Sequence, residues 1–271
     1  MEYKEKKHLL IRYLSELTKD DVAIAFSGGV DSSLLLKICC NQAKQTGRKV
    51  YAITLHTMLH PATDLVIAKN VAKEAGALHL VLHVDELNEA GIRFNPVDRC
   101  YLCKKCLFQK LKEKAAEYEI THILEGTNGE DLNVYRPGIR AVQELGILSP
   151  LAKYGFTKEE VRQLAEEYHI SVANRPSTPC MATRFPYGTE LSYDRIKEVE
   201  SGEEWLREKG FYNVRLRVHD KIARIEVDKE SMEYLLSIKD EIIQELSRYG
   251  YDYITLDLMG FRSGSMDIHV K

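Results

Sequence analysis

The stretch Ser27-Gly28-Gly29-Val30-Asp31-Ser32-Ser33 decides how this chain reads. It follows residues 22–26 (VAIAF), which read as a buried strand, and opens into residues 31–43, whose pattern reads as a helix. In an open α/β sheet, ligands sit at the carboxyl ends of strands. A helix starting there offers unpaired N–H groups and the positive end of its dipole. Two glycines let the backbone approach a polyphosphate closely. The hydroxyls of Ser27, Ser32 and Ser33 add donors, and Asp31 suits a magnesium ion. A plain turn needs the glycines but not three hydroxyls and a carboxylate as well. The spacing is neither the Walker pattern nor GxGxxG.

Working outward, apolar strands alternate with helical patterns. Residues 50–55 and 78–84 read as strands, 63–75 and 104–118 as helices, and 122–124 as a short strand before Glu125-Gly126-Thr127-Asn128. Residues 157–168 read as a helix with Thr157 as N-cap and Glu160 three places on, a capping-box pattern. The alternation predicts an α/β fold, a parallel sheet with helices on both faces. After Pro179 the pattern changes. A charged helix over 192–209, strands over 214–218 and 222–227, a helix over 229–249 and a strand over 253–258 predict a small α+β unit of β-β-α-β order. The boundary falls within 172–190 and is placed at 180, giving domains 1–180 and 181–271.

Composition is that of a globular chain: 271 residues, 44% hydrophobic and 29% charged. No apolar run approaches the ~18 residues that span a bilayer. The opening MEYKEKKHLLIRYL lacks the apolar core of a secretory signal, so a cytoplasmic protein is expected. A net charge of −3 gives no broad pull toward nucleic acid or a membrane, and neither is an expected partner. Of six cysteines, Cys39 and Cys40 lie in an apolar helix and read as buried packing residues. The spacing Cys100-x2-Cys103-x2-Cys106 instead suggests a metal or a cluster.

The phosphate loop is the signature of PP-loop ATP pyrophosphatases. That resemblance implies ATP cleaved between its α- and β-phosphates, giving an adenylated intermediate and pyrophosphate. Gly126 and Thr127, with Asn128 and Asp131, resemble a second nucleotide-site segment of that class. Three further segments narrow the resemblance: 95–104 (NPVDRCYLCK), 179–188 (PCMATRFPYG) and 260–266 (GFRSGSM). Together they resemble the LarE family, ATP-dependent sulfur transferases of nickel-pincer cofactor synthesis. The resemblance implies a substrate, pyridinium-3,5-biscarboxylic acid mononucleotide. One ring carboxylate is adenylated and a sulfur nucleophile displaces AMP, giving a thiocarboxylic acid. In one branch of the family the cysteine matching Cys180 gives up its own sulfur. In the other, three cysteines hold a 4Fe-4S cluster whose open iron carries sulfide from a sulfur donor. The present chain resembles the second branch, with Cys100, Cys103 and Cys180 as ligands. Cys106 is an alternative third ligand that would free Cys180 as nucleophile, and zinc suits the same spacing.

Thr183 and Arg184 read as phosphate contacts or as loop packing, Arg184 lies four residues from Cys180 where a cation favours the thiolate, and by the same resemblance Arg215 and Arg217 hold the substrate phosphate. Period two places those last two on one strand face. Asp31, Cys180 and Arg184 are thus the expected catalytic residues. Glu200, Glu203 and Asp228 read either as base or metal ligands or as solvated surface, and His56 and His60 as structural. The family's tendency to assemble predicts a homo-oligomer. Three alternatives stand beside this reading: a tRNA-thiolating PP-loop enzyme, a zinc-containing amidotransferase or nitrile-forming enzyme of the same fold, and a nucleotide-binding module without turnover.

Overall fold

Alternate residues of the first strands face opposite ways, and each set has its own core. The structure, a computed structural model, describes residues 1–134, 136–176, 178–262 and 265–266. The chain packs as two units: Met1–Ile92 with Asp98–Thr178, and Arg93–Val97 with Pro179–Lys271.

In the first unit, β1 (Val22–Ala25), β2 (Val50–His56), β3 (Leu78–His83) and β4 (His122–Leu124) form a parallel sheet of order β3-β2-β1-β4. Its helices are α1 (Tyr3–Leu17), α2 (Val30–Thr46), α3 (Ala62–Ala75), α4 (Glu86–Glu89), α5 (Arg99–Ala116), α6 (Gly138–Glu144), α7 (Pro150–Lys153) and α8 (Lys158–Glu167). Val22, Ile24, Val50 and Ala52 pack on one face with Leu10 and Leu14 of α1, Leu34 and Ile38 of α2, Val71 of α3 and Leu164 of α8. Ala23, Tyr51, Ile53 and Ile123 pack on the other with Phe108, Leu111 and Ala115 of α5 and Val142 of α6. Helices therefore cover both faces, as the alternation of strands and helices requires. Successive strands run outward from β1 through β2 to β3, and β4 then returns to the other side of β1. The order reverses at β1 and β4, so the crevice at their carboxyl ends is where such a sheet binds ligands.

In the second unit, α9 (Tyr193–Glu208) starts at Ser192, whose hydroxyl accepts from the Arg195 amide at 3.3 Å. It packs on a sheet of order β5-β6-β7: β5 (Val214–His219), β6 (Ile222–Val227) and β7 (Tyr253–Leu256). β5 and β6 are antiparallel, while β6 and β7 are parallel, joined through α10 (Met232–Ser237) and α11 (Lys239–Leu246). Gly202 of α9 faces Leu216, where an added Cβ would sit 3.0 Å from a Leu216 methyl. Asn95 is buried at φ 46° and donates from its amide to the Phe185 and Pro186 carbonyls at 3.1 and 2.8 Å. That tethers the short piece 93–97 to this unit.

Two expected elements differ. The helix expected over 104–118 begins at Arg99, so all three clustered cysteines are helical. The single helix expected over 229–249 is broken: it opens with a 3-10 turn, breaks between α10 and α11, and closes with a second 3-10 turn. Near the break, the Ser237 hydroxyl donates to the Tyr234 carbonyl at 2.7 Å, a local bond of the kind that competes with helix continuation.

Candidate functional site

The phosphate loop lies where β1 enters α2. Gly28 has φ 73°, a left-handed conformation, and a Cβ there would sit 3.0 Å from the backbone of Ala68 in α3. Glycine is required on both counts. Gly29 is the N-cap of α2, and the first-turn N–H groups beyond it have no intrahelical acceptors. Ser27 and Ser32 knit the loop: their hydroxyls lie 3.3 Å apart, Ser27 Oγ accepts from the Gly29 amide, and Ser32 Oγ donates to the Gly29 carbonyl. Ser33 departs from its expected role as a phosphate donor. Its side chain is fully buried, its hydroxyl has no partner among the described residues, and it lines a cavity with Val71, Glu74 and Ile170. One helical step past Ser32 turns it toward the core.

The second segment, 125–129, is wedged against the loop by two glycines. A Cβ on Gly126 would sit 3.0 Å from Asp31 Cβ and the Ser32 amide. A Cβ on Gly129 would sit 2.9 Å from the backbone of Gly155, and the Gly129 amide donates to the Phe156 carbonyl at 2.7 Å. This brings three pieces of chain together at Asp31. Its Oδ1 accepts from Asn128 Nδ2 at 3.3 Å, and its Oδ2 pairs with Lys158 Nζ. A single carboxylate beside a helix N-terminus fits a magnesium ion brought in with ATP, since such ions take one or two protein carboxylates and complete their shell with phosphates and water. Thr127 is positioned by the buried Glu125, whose carboxylate accepts from its amide at 3.0 Å and its hydroxyl at 2.8 Å. Glu125 also accepts from Ser149 and pairs with Lys104 of α5 at 3.3 Å. Asp131 accepts from the Asn128 amide and pairs with Arg136 at 3.0 Å.

Lys158, Glu125 and Gly129 escaped the sequence reading. A signal for Lys158 was present: a cation at the first helical position opposes the helix dipole, which calls for an anionic partner.

Cys100, Cys103 and Cys106 lie on α5, the first exposed and the other two half-buried. Cys100 and Cys103, three residues apart, share a helix face. As soft thiolates one turn apart they fit two ligand positions of an iron–sulfur cluster in donor chemistry. Cys106 stands in the same three-residue relation to Cys103 as Cys100 does, and it remains the alternative third ligand. A continuous helix turns it about 120° from Cys100 and sets it about 9 Å along the axis. Burial also raises its thiol pKa, against the pull of Lys110. Among the described residues, no three His, Cys, Asp or Glu side chains gather as a metal-holding group. Cys39 and Cys40 are buried, and burial raises both thiol pKa values, Cys40 to about 11.

Cys180 belongs to the second unit and is half-buried at the start of a 3-10 turn, Met181–Arg184. Its carbonyl accepts from Thr183 Oγ1 at 2.8 Å and from Arg184 Nη1 at 3.3 Å. Arg184 differs from its expected role. It is among the most buried side chains and forks onto Glu203 at 2.8 and 2.9 Å, so its guanidinium holds the Cys180 turn rather than facing a phosphate. Glu203 also accepts from the Leu216 amide and from Arg207. Burial alone would raise its carboxyl pKa, but the Arg184 guanidinium and these hydrogen bonds bring it below the usual range. Glu203 is thereby a structural partner. Arg217 is likewise committed, to Glu226 at 3.0 Å and the Thr183 carbonyl at 2.8 Å. Arg215 is less constrained: it donates to the Val214 carbonyl and lies over the Phe261 ring. Burial and the nearby Arg184 push its pKa down to about 10, which leaves it charged and drawn to an anion. Asp228 accepts from the Asn213 amide. His56 stacks edge-on against His83, 5.0 Å between centroids, at the ends of β2 and β3. Of the 260–266 segment, Ser263 and Gly264 lie outside the described residues.

A family model for the PP-loop domain matches residues 3–133. The chain is 36% identical over 262 residues to pyridinium-3,5-bisthiocarboxylic acid mononucleotide synthase of Lactiplantibacillus plantarum, covering 97% of this chain and 94% of that protein. It is 34% identical to an uncharacterised protein of Synechocystis, covering 95% of each. Similarity to a tRNA-specific 2-thiouridylase of Rickettsia bellii is weaker, 27% identity over 67% of this chain and 59% of that enzyme. No helix among the described residues is long and apolar enough to cross a membrane.

Proposed function

The chain belongs to the LarE family of PP-loop, ATP-dependent sulfur transferases, and from that premise we propose that it converts pyridinium-3,5-biscarboxylic acid mononucleotide into its thiocarboxylic acid for a nickel-pincer cofactor. The end-to-end similarity to the Lactiplantibacillus plantarum synthase carries this reading, supported by the fitted phosphate loop at the β1–β4 crevice. A carboxylate is a poor acyl donor. In the first step its oxygen bonds to the α-phosphorus of ATP, the bond to the β-phosphate breaks, and pyrophosphate leaves with the electron pair. The N–H groups beside residues 27–33 and Thr127 receive that charge, in the manner of preorganised donors. Asp31 would hold the accompanying magnesium ion.

In the second step a sulfur nucleophile attacks the acyl carbon and AMP leaves. Cys100 and Cys103, with Cys180 as the third ligand that the family resemblance implies, would hold a 4Fe-4S cluster, and the cluster would supply that sulfur as sulfide. A second reading, from the other branch of the family, makes Cys180 Sγ itself the nucleophile. The resulting thioester then loses a Cα proton, its Cβ–S bond breaks, and the thiocarboxylate departs from a dehydroalanine. Arg215 holds the substrate phosphate in either case. The short reach along the tRNA-modifying relative gives less support to a tRNA substrate.

Anaerobically purified protein, given MgATP and the pyridinium mononucleotide, should release pyrophosphate and AMP and exchange a product oxygen for sulfur. Iron and acid-labile sulfide in the protein, lost in Cys100→Ala and Cys103→Ala, identify the cluster route. A Cys180 residue that has lost its sulfur after one turnover identifies the other. Cys180→Ala should abolish sulfur transfer and retain ATP binding, and normal turnover by it refutes both routes.

A further inference from the structure

We propose that His79 is a positioning residue of the ATP site: through the Thr54 hydroxyl it aims the first N–H of the phosphate loop. The inference rests on the ATP-dependent reading above and names the groups that hold the loop from behind. β1 ends at Ala25, and Phe26 leads into the loop. The Phe26 amide still donates to the Ile53 carbonyl at 2.9 Å, as a ladder bond would. The Phe26 carbonyl instead accepts from a side chain, the Thr54 hydroxyl of β2, at 2.8 Å. Thr54 is buried, and its oxygen also lies 2.8 Å from Nε2 of His79 on the edge strand β3. A hydroxyl has one proton to give. That proton goes to the Phe26 carbonyl, which can only accept, so His79 Nε2 carries a proton and donates it to Thr54. Burial and the nearby Lys69 lower the His79 pKa, which keeps the ring uncharged at neutral pH. The donor is therefore the tautomer protonated at Nε2 alone. The same ring stands edge-on to Phe26, 6.1 Å between centroids, so His79 braces that residue at both its side chain and its carbonyl.

The effect falls on the next peptide. The Phe26 carbonyl and the Ser27 N–H belong to one planar trans unit, so they point opposite ways. A carbonyl drawn to Thr54 turns the Ser27 N–H into the loop, where it meets Ser32 Oγ at a long 3.4 Å. A bond of that length is weak, which leaves the N–H open to a better acceptor such as a phosphate oxygen. Hydrogen bonds in series polarise one another. Donation by His79 makes the Thr54 proton a stronger donor to the carbonyl, and the carbonyl in turn makes Ser27 N–H a stronger donor to an anion. The three groups thus form a wire from the sheet edge to the start of the loop, and no proton is transferred along it.

The test uses the full chain with Thr54→Val, with His79→Phe, which keeps a ring against Phe26, and with His79→Gln, which keeps a donor near the Nε2 position. A fourth variant combines Thr54→Val with His79→Phe. Calorimetry should show MgATP binding about tenfold weaker in Thr54→Val and about fivefold weaker in His79→Phe, with most of the loss recovered in His79→Gln. Because both residues act on one carbonyl, the double variant should bind no worse than Thr54→Val alone. Nitrogen NMR of the ligand-free protein should show His79 protonated at Nε2 and bare at Nδ1. The Ser27 amide resonance should shift in His79→Phe and return toward the parent position in His79→Gln. Parental MgATP affinity in His79→Phe overturns the proposal, as does a neutral His79 ring protonated at Nδ1. Additive losses in the double variant overturn it too, and so does a loss that follows the ligand-free melting temperature across the four variants, which marks packing alone. If the parent binds no MgATP, the nucleotide reading fails, while the wire is still judged by the tautomer and the Ser27 resonance.

Discussion

Arg184, four residues from Cys180, and Arg215, on β5, look alike in sequence, yet the structure holds them differently. Arg184 is sealed against Glu203, whereas Arg215 is held by one backbone carbonyl and one ring. Removing Arg184 strands a buried carboxylate, so Arg184→Ala should destabilise the protein by about 3–5 kcal/mol, read as a lower urea midpoint. Arg215→Ala should leave that midpoint close to the parent and raise KM for the mononucleotide. A normal KM in Arg215→Ala would remove the residue from substrate binding. The distinction was not legible because the partner of Arg184 sits 19 residues away on another element. The place of Asp31 and the two loop serines at a strand-to-helix junction was legible, since that junction is written in one contiguous stretch. Ser33 was not, because burial depends on which way a helix faces its neighbours.

At the scale of the element, the fold was readable wherever local signals agreed. The strands of the first unit, and the capping box of α8, follow from contiguous pattern. Lys158, by contrast, gains its meaning only through the 127-residue separation that folding closes. Likewise Gly129 looks like a turn residue until Gly155 is set against it. Gly28 combines a left-handed backbone with contact against α3, so Gly28→Ala should both destabilise the fold and weaken MgATP binding. The cost expected from strain and displacement is about 1–3 kcal/mol. Chemical denaturation and calorimetry check the two effects separately, and an alanine variant with parental values in both would show that the loop tolerates a side chain.

For the molecule as a whole, acid sensitivity follows from Glu203. Its folded pKa lies below that of an unfolded glutamate, so at intermediate pH the unfolded chain binds more protons. The stabilisation is present above the unfolded value of about 4.3 and is lost as pH falls through the lower folded one. Urea midpoints should therefore drop as pH falls below about 4.3, and this part of the slope should vanish in Glu203→Gln. The two-part organisation was partly visible as a change of pattern after Pro179, but the membership of residues 93–97 in the second unit was not. No composition shift marks them, because their attachment lies in the Asn95 contacts rather than in their own periodicity.

That small detour has a consequence for biosynthesis. The ribosome delivers 93–97 well before Phe185 and Pro186, the carbonyls that Asn95 must grip. A nascent chain halted near 178 carries an orphaned asparagine loop, and its release into native form awaits the last third of translation. Any attempt to express either half as one uninterrupted gene fragment therefore severs a piece of the other.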